Sequence, residues 1–388
     1  MKKAVICCTC LLLLTGCWDR TELKQLGIVL GIAVDKDPDS GEFIVSTQML
    51  RPQALSTQSP STEKPVEKVV TTGKTIFEAI RKSNLEFDRK GFYAHNKVIL
   101  IDEDLAKEGL LSVLDFFQRG KEIRGYVFVC IAKNAQAREI LESDTGGIEP
   151  IPALRLRDMF EDTKFQLKAT KINLLNFYKE SIGSGIEPVV GVLEFEKDRF
   201  SKKHVKLSGG AVFNKDKLVG YLTEHQTIGY RWCKSEVESG AVSIPSPVNE
   251  GRYESVEVKK ADTTIKPTVK GNEISFTISV KGEGIITEQE VITSLEDNTK
   301  KLEHMKKIEE KMNKQIEKDI KLAIEIAQKE FHSDIFGFGR ALNKEEPKIW
   351  NQVKNDWNER FARVPYTVNV HFKINSTGLM RGPFQAKN

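Results

Sequence analysis

This sequence has no second apolar run comparable with the one near its start. Residues 4–14 form a continuous apolar run, and no later stretch approaches the 18 or so apolar residues that a membrane-spanning helix needs. The first run is about half the length that crosses the hydrocarbon core. We therefore predict that the chain after this leader is a water-soluble ectodomain.

Cysteine is scarce once the leader is set aside. Three of the six cysteines lie inside the leader and Cys17 ends it, so only Cys130 and Cys233 remain. Two cysteines do not make a disulfide framework. Cys130 lies in an apolar run and is predicted to be a buried thiol, although a single Cys130–Cys233 bridge stays open.

Catalytic and metal-binding patterns are missing as well. None of the six histidines lies three to five residues from another histidine or a cysteine, which argues against zinc. Gly209-Gly210 does not open a helix and lacks the GxGxxG spacing of a dinucleotide site. No Ser/His/Asp or Cys/His set has a recognisable spacing. The sequence predicts a protein that is not an enzyme and holds no cofactor or metal. His95, at the entrance of a predicted strand, is predicted to be a structural residue and not a metal ligand.

Net charge is also small. Removal of residues 1–16 leaves 372 of the 388 residues and takes away Lys2 and Lys3, so the formal charge falls from +4 to +2. A nearly neutral chain of this size argues against nucleic acid as a partner. It is also longer than one hydrophobic core usually supports, which predicts two or three domains.

The leader itself has the layout of a lipoprotein signal peptide. Two lysines precede the apolar run, and Leu14-Thr15-Gly16-Cys17 follows it as a lipobox. We predict cleavage after residue 16 and lipid on Cys17, which would hold the protein on the outer face of a membrane. An ordinary secreted protein with a chance cysteine at this position is the alternative.

The remaining patterns predict an elongated α+β fold with mixed and antiparallel sheets, flanking helices and one long helix in the C-terminal half. Strand and helix patterns alternate up to residue 195, and a charged segment follows. We predict an N-terminal α+β region at 17–197, which can divide into two domains, with a mobile loop at 51–66. A C-terminal domain at 198–388 combines an antiparallel sheet with the long helix.

The C-terminal half supplies the clearest periodicities. Apolar residues recur three or four apart from 288 to 331, where Pro and Gly are absent, which predicts a long amphipathic helix with a break near Asn298. Its apolar stripe packs on its own sheet or, alternatively, on a partner as a coiled coil. The other predicted elements are strands at Tyr253–Lys259, Thr264–Val269, Ile274–Val280 and Tyr366–Ile374, and a helix at Arg340–Phe361.

The segment Asp334-Ile335-Phe336-Gly337-Phe338-Gly339 places two phenylalanines and two glycines beside a helix end. The two rings either seal the core where the chain turns or form an exposed aromatic contact for a partner. We expect at least one ring to be buried, because the flanking glycines let the backbone turn tightly.

Taken together, these features resemble the Ger(x)C family, the lipoprotein C subunits of spore germinant receptors in endospore-forming bacteria. The likeness covers nearly the whole chain. It is carried by Gly16-Cys17-Trp18-Asp19-Arg20 with Glu22-Leu23, by His95 with the strand after it, by Asp115-Phe116-Phe117, Arg119 and Glu122-Ile123-Arg124, by the GGAVF and KLVGYL segments, and by Asp334 to Gly339, Trp350 and Trp357.

The resemblance implies a non-enzymatic subunit that assembles with a polytopic A subunit and a transporter-like B subunit in the spore inner membrane. The complex would respond to nutrients such as amino acids or sugars. Candidate partner-contact or structural residues are Trp18, Asp19, Arg20, Asp334, Phe336, Gly337, Phe338 and Gly339. The alternative is a solute-binding lipoprotein of a transporter, which should show two doubly wound lobes. An anchored hydrolase would need a catalytic set.

Overall fold

The computed structural model describes residues 26–51, 64–120, 122–143, 148–248, 250–289 and 298–376. The predicted signal peptide, Cys17 and the Trp18-Asp19-Arg20 segment lie outside these residues, as does most of the predicted 51–66 loop. Within the described ranges, the chain forms two β-sheets with helices packed against them. The predicted α+β class, with mixed sheets and one long helix in the C-terminal half, is confirmed.

The first sheet has four parallel strands in its middle and antiparallel strands on both sides. Its order is β11-β10-β8-β6-β5-β1-β2-β3, and three short strands, β4, β7 and β9, pair with β1, β6 and β8. The bounds are β1 (Leu26–Lys36), β2 (Phe43–Leu50), β3 (Val66–Gly73), β4 (Lys90–Phe92), β5 (Val98–Asp102), β6 (Phe128–Ala132), β7 (Ile172–Asn173), β8 (Val189–Lys197), β9 (Lys203–Leu207), β10 (Gly210–Asn214) and β11 (Lys217–Leu222).

Helices cover both faces of this sheet, which explains why its central strands are apolar runs rather than alternating ones. Ile80, Leu114 and Phe177 join the core on one face, and Ile140, Leu156 and Phe160 join the core on the other. The helices are α1 (Ile76–Glu86), α2 (Glu103–Glu108), α3 (Leu110–Arg119), α4 (Ala137–Leu141), α5 (Pro152–Glu161) and α6 (Leu174–Ser181).

The second sheet is a long antiparallel ribbon with one parallel strand added. Its order is β12-β13-β14-β15, and only the β14–β15 pair is parallel. The predicted strands at 253–259 and 264–269 are one continuous strand, since a register shift between Val258 and Lys260 absorbs the irregularity. The bounds are β12 (Gly240–Pro245), β13 (Tyr253–Lys270), β14 (Glu273–Gln289) and β15 (Tyr366–Ser376).

The remaining helices are α7 (Glu224–Cys233), α8 (Asn298–Ile326), α9 (Phe338–Glu345), α10 (Pro347–Val353) and α11 (Trp357–Phe361). The long helix α8 begins at the predicted break, and the predicted start at 288 is wrong because β14 continues to Gln289. The apolar stripe of α8 lies in the core, as expected for packing on its own sheet. The single helix predicted at 340–361 is wrong, since Pro347 lacks an N–H and begins a new helix.

Strands β9 to β11 follow the boundary predicted at residue 197, yet they extend the first sheet beside β8. The chain changes from one sheet to the other between Leu222 and Gly240, where α7 lies. The division of the chain into domains at residue 197 stays a prediction, as does the elongated outline.

Candidate functional site

The segment from Asp334 to Gly339 is organised around one buried carboxylate. Asp334 is fully buried, and each of its oxygens accepts two hydrogen bonds. Oδ1 accepts from the backbone N–H groups of Gly337 at 2.9 Å and Phe338 at 3.0 Å, and Oδ2 accepts from the N–H of Gly339 at 2.7 Å and the indole Nε1 of Trp357 at 2.8 Å. The side chain therefore holds the start of α9 and the first residue of α11 together.

Burial is the main influence on the ionisation of Asp334. Loss of solvent raises the pKa of this carboxyl group above its ordinary value, while the four donors act in the opposite direction by stabilising the carboxylate. Because each oxygen of this carboxylate already accepts two hydrogen bonds, neither oxygen is available to bind a substrate or a metal ion. The geometry of Asp334 is that of a structural residue.

Two glycines let this segment approach a distant part of the chain. Gly337 has a φ of +84°, which a side chain disfavours. A Cβ on Gly339 would lie 2.6 Å from Nε1 of Trp357 and 2.7 Å from Cα of Gly185. Backbone hydrogen bonds fix the approach, from the N–H of Arg340 to the carbonyl of Gly185 and from the N–H of Glu187 to the carbonyl of Asp334. We call this contact between residues 185–187 and 334–340 the junction.

Both aromatic rings of the segment point into the core. Phe336 and Phe338 are buried. Phe338 stacks on Phe276 of β14 with ring centroids 4.6 Å apart, and Phe336 lies beside Tyr230 of α7. The expectation that at least one ring is buried therefore holds for both, and neither is exposed as a contact for a partner.

Glu187 adds a second acidic side chain to the junction. Its carboxylate accepts hydrogen bonds from the backbone N–H of Lys215 and from Nδ2 of Asn358, the latter at 3.5 Å. Burial raises the pKa of Glu187 to about 7, the two donors lower it in part, and the nearby Asp334 carboxylate raises it further. Glu187 thus links the edge of the first sheet to α11 with a carboxyl group that titrates near neutral pH.

A buried contact between a histidine and a glutamate in the second sheet has no counterpart among the sequence predictions. Nε2 of His304 on α8 lies 2.8 Å from Oε2 of Glu254 on β13, and both side chains are buried. Oε1 of Glu254 accepts from Ser246 at 2.9 Å. Burial raises the pKa of Glu254, but His304 and the hydrogen-bond donors outweigh it and leave the pKa lowered. The one signal in the sequence was a histidine on the buried stripe of an amphipathic helix.

The other candidates stay apart from the junction. His95 is exposed and lies beside the ring of Phe92. Cys130 and Cys233 are buried and unbridged, and burial raises the pKa of both thiols.

Among the described residues, no three His, Cys, Asp or Glu side chains are grouped closely enough to hold a metal ion. No helix in the described ranges has the length and apolarity needed to cross a bilayer.

Comparison with known proteins places both halves of the chain in one group. A model described as the spore germination protein N-terminal domain matches residues 19–195, and a model described as spore germination B3/GerAC like, C-terminal, matches residues 208–378. Of the segments that carry the resemblance, Trp18 lies one residue before the first match, and Asp334 to Gly339 lies inside the second.

Full-length relatives agree with the two models. Spore germination protein B3 of Bacillus subtilis (strain 168) is 27% identical over 374 residues, which cover 95% of this chain and 96% of the relative. Spore germination protein KC of the same organism is 26% identical over 402 residues, with 98% and 97% covered. The crystal structure of the GerBC protein has the same fold, with a TM-score of 0.56 at 22% identity over 89% of this chain and 97% of the other. The chain belongs to the Ger(x)C family of spore germination proteins.

Proposed function

We propose that this protein is a lipid-anchored, non-enzymatic subunit of a spore nutrient germinant receptor, which assembles with membrane-embedded A and B subunits to trigger germination. The observation that carries the proposal is the similarity to spore germination proteins over 95% or more of this chain. The proposed site of action is the outer face of the spore inner membrane, and the protein would need no cofactor.

The lipobox supports the anchoring part of the proposal. A diacylglyceryl group on Cys17 would bury two acyl chains at about 0.8 kcal/mol per CH₂, enough for stable attachment. An anchored ectodomain is confined to a thin layer above the bilayer, which raises its effective concentration toward membrane subunits. Weak interfaces with the A and B subunits would then be sufficient for assembly.

The side-chain chemistry favours an assembly role over catalysis. The buried Asp334 carboxylate is fully used by four donors, and the two thiols are buried with raised pKa values. We propose that Asp334 to Gly339 acts as a structural motif of the junction, and that Trp18, Asp19 and Arg20 act near the membrane as partner contacts.

The solute-binding lipoprotein remains the second candidate, since it would share the anchor. Such a protein needs two lobes that each resemble a doubly wound α/β sheet. The second sheet here is an antiparallel ribbon whose parallel strand, β15, comes from the end of the described chain. This topology favours the receptor subunit.

The first test replaces the anchor residue. Cys17→Ala should prevent lipidation, leave the precursor uncut and weaken retention at the membrane, because the thioether cannot form. Mass spectrometry of the mature amino terminus and copurification of partners from dormant-spore membranes measure the two parts of the proposal. An unmodified wild-type terminus at another residue would refute the anchor, and a lipidated chain that copurifies without A and B subunits would refute the assembly.

A further inference from the structure

A groove lies between α1 and α3, next to the point at which β1 begins. Lys90 and Gly91 of β4 line its edge, and these two residues pair with Leu26 and Gly27 of β1. The groove has a volume of about 220 Å³, and its apolar lining comes from Phe77, Ile80, Tyr93, Phe116 and Ile123. The chain that leads back to Cys17 therefore leaves the described structure beside this groove.

Exposed apolar side chains lie on α1, whose residues Phe77, Ile80, Arg81 and Asn84 line one side of the groove. Phe77 is 51% exposed, and Leu85, near the end of α1, is 88% exposed. The guanidinium of Arg81 lies 5.0 Å from the ring centroid of Phe77, and the ring of Phe116 lies 5.8 Å from the same ring. The result is an apolar surface with a cation placed against it.

Two cations at the groove are available for an anionic partner. On the same two helices, Lys82 pairs with Glu78 and Arg119 pairs with Asp115. By contrast, Arg81 and Lys90 form no salt bridge with any residue that the structure describes. Glu122 is the acidic side chain in the lining. An apolar surface whose cations form no salt bridge with a described residue is the chemistry that fits the boundary between lipid headgroups and acyl chains.

The opposite end of β1 has the opposite character. Asp35 and Lys36 border a cavity of about 930 Å³ lined by eight carboxylate side chains, among them Asp37, Asp102 and Asp104. Its one basic residue, Lys36, is paired with Glu108. The ten residue steps of β1 separate the two ends by roughly 33 Å. An anionic surface would repel the acidic end and attract the groove end.

We propose that the groove, together with Leu85, is a membrane-docking surface that rests on an anionic phospholipid bilayer. The proposal builds on the proposed lipid anchor, because the nine residue steps from Cys17 to Leu26 span at most about 32 Å. The tether therefore keeps the groove end of β1 close to the lipid. Phe77 and Leu85 enter the headgroup boundary, Arg81 and Lys90 bind lipid phosphates, and the acidic cavity faces away from the membrane.

The test compares two dye positions on the full mature chain in phosphatidylglycerol-containing vesicles. Leu85→Cys marks the end of α1, next in sequence to Asn84 of the groove lining, and Ser40→Cys, in the turn after β1, is the matched control. Cys130 and Cys233 are only 0% and 2% exposed and will not take up dye. A polarity-sensitive dye at 85 should shift to shorter wavelength and be quenched by spin-labelled lipids, whereas the dye at 40 should stay in water. Equal quenching at both positions, or none at 85, overturns the proposal.

Charge reversal tests the role of the cations. Arg81→Glu with Lys90→Glu should abolish quenching at position 85, since each basic residue near an anionic surface contributes about fivefold to binding. Lys314→Glu with Lys318→Glu, on the exposed face of α8, changes the net charge equally and should leave quenching unchanged. A dye at 85 that is shielded from water but not quenched by lipid would indicate a protein occupant and overturn the proposal.

The wild-type chain separates failure of the anchor from failure of the docking surface. An acylated Cys17 has no thiol, so the wild-type chain should take up no dye. Uptake at Cys17 would refute the proposed anchor. In that case the thiol is coupled to a maleimide lipid on the same vesicles, and positions 85 and 40 are compared as before.

Discussion

Asp334 illustrates why a buried carboxylate is tolerated at the junction. A carboxylate removed from water is costly unless hydrogen bonds replace its hydration. Four donors do this here, and three of them are backbone N–H groups at the start of α9 that have no partner within the helix. These four hydrogen bonds replace the hydration of the Asp334 carboxylate, cap the start of α9 and hold the indole of Trp357 in place.

The two phenylalanines beside Asp334 provide a direct measure of packing. Phe336→Ala and Phe338→Ala should each lower the free energy of unfolding by about 3–5 kcal/mol, since each deletes buried apolar atoms and leaves a cavity. Thermal and denaturant melts of the two variants measure this, and Phe200→Ala, at an exposed position, is the control. Unchanged melting in both variants would contradict burial, whereas unchanged melting with lost receptor assembly would indicate a contact for a partner.

Glu187 predicts a pH dependence of stability. Its folded pKa of about 7 lies above the ordinary value of 4.5, so the folded state binds more protons than the unfolded state between these values. The contribution of Glu187 to the free energy of unfolding is therefore fully present below about pH 4.5 and is lost as the pH rises through 7. Glu187→Gln removes this dependence, so the variant should gain stability relative to wild type between about pH 5 and about pH 8. Denaturant melts at several pH values measure the free energy of unfolding of both proteins. A difference in this free energy that stays constant over the range would contradict the assignment.

At the scale of elements, the contact between α7 and α8 depends on one glycine. A Cβ on Gly229 of α7 would overlap the backbone carbonyl oxygen of Asp319 and lie 3.0 Å from the Cβ of Ala323, both on α8. The two helices therefore touch backbone to backbone, which no larger residue permits at this spacing.

Gly229→Ala tests this contact against helix propensity. Alanine favours a helix over glycine by about 1 kcal/mol, yet the clash with α8 should outweigh that gain and destabilise the fold by about 2 kcal/mol or more. Lys344→Ala, at an exposed position of α9, is the control and should change stability by less than about 0.5 kcal/mol. Denaturant melts compare the two variants, and a Gly229→Ala protein more stable than wild type would show that the helices separate freely.

The same elements show what a single sequence can predict. The apolar runs of β1, β5 and β6 and the three-to-four spacing of α8 identify these elements, because burial imposes those periods on the residues. The pairing of β15 with β14 and the approach of Gly339 to Gly185 could not be predicted, since neither leaves a local pattern. At the candidate site, the glycines and aromatics of 334–339 indicated a turn and a buried ring, but the four donors around Asp334 depend on Trp357, 23 residues further on.

At the scale of the whole molecule, the junction joins the two sheets into a connected structure. Ser333 Oγ donates to the carbonyl of Phe213 at 2.6 Å, and Nδ2 of Asn358 donates to Oδ1 of Asn214 at 3.3 Å. With the backbone bonds to Gly185 and Glu187, these contacts tie the helices after α8 to the edge of the first sheet. Residues 334–340 therefore form one of the direct connections between the two sheets.

An assembly role predicts weak nutrient binding by the isolated protein. The mature chain should bind amino acids and sugars that trigger germination with dissociation constants well above the micromolar range, because its proposed task is to hold other subunits. Isothermal titration measures this, with a solute-binding lipoprotein and its own ligand as the positive control. A micromolar constant for a germinant would favour the solute-binding alternative.

The parallel pairing of β15 with β14 also determines when the second sheet can be completed. Tyr366 pairs with Phe276, so 90 positions of chain separate the partners, and pairing must wait until the last strand has been synthesised. Contacts of such long sequence separation form slowly. Until β15 arrives, the backbone groups of β14 present an open edge to other chains. A chain that stops short of Tyr366 therefore carries an unpaired strand edge and is prone to aggregate, and pairing of β15 closes this edge.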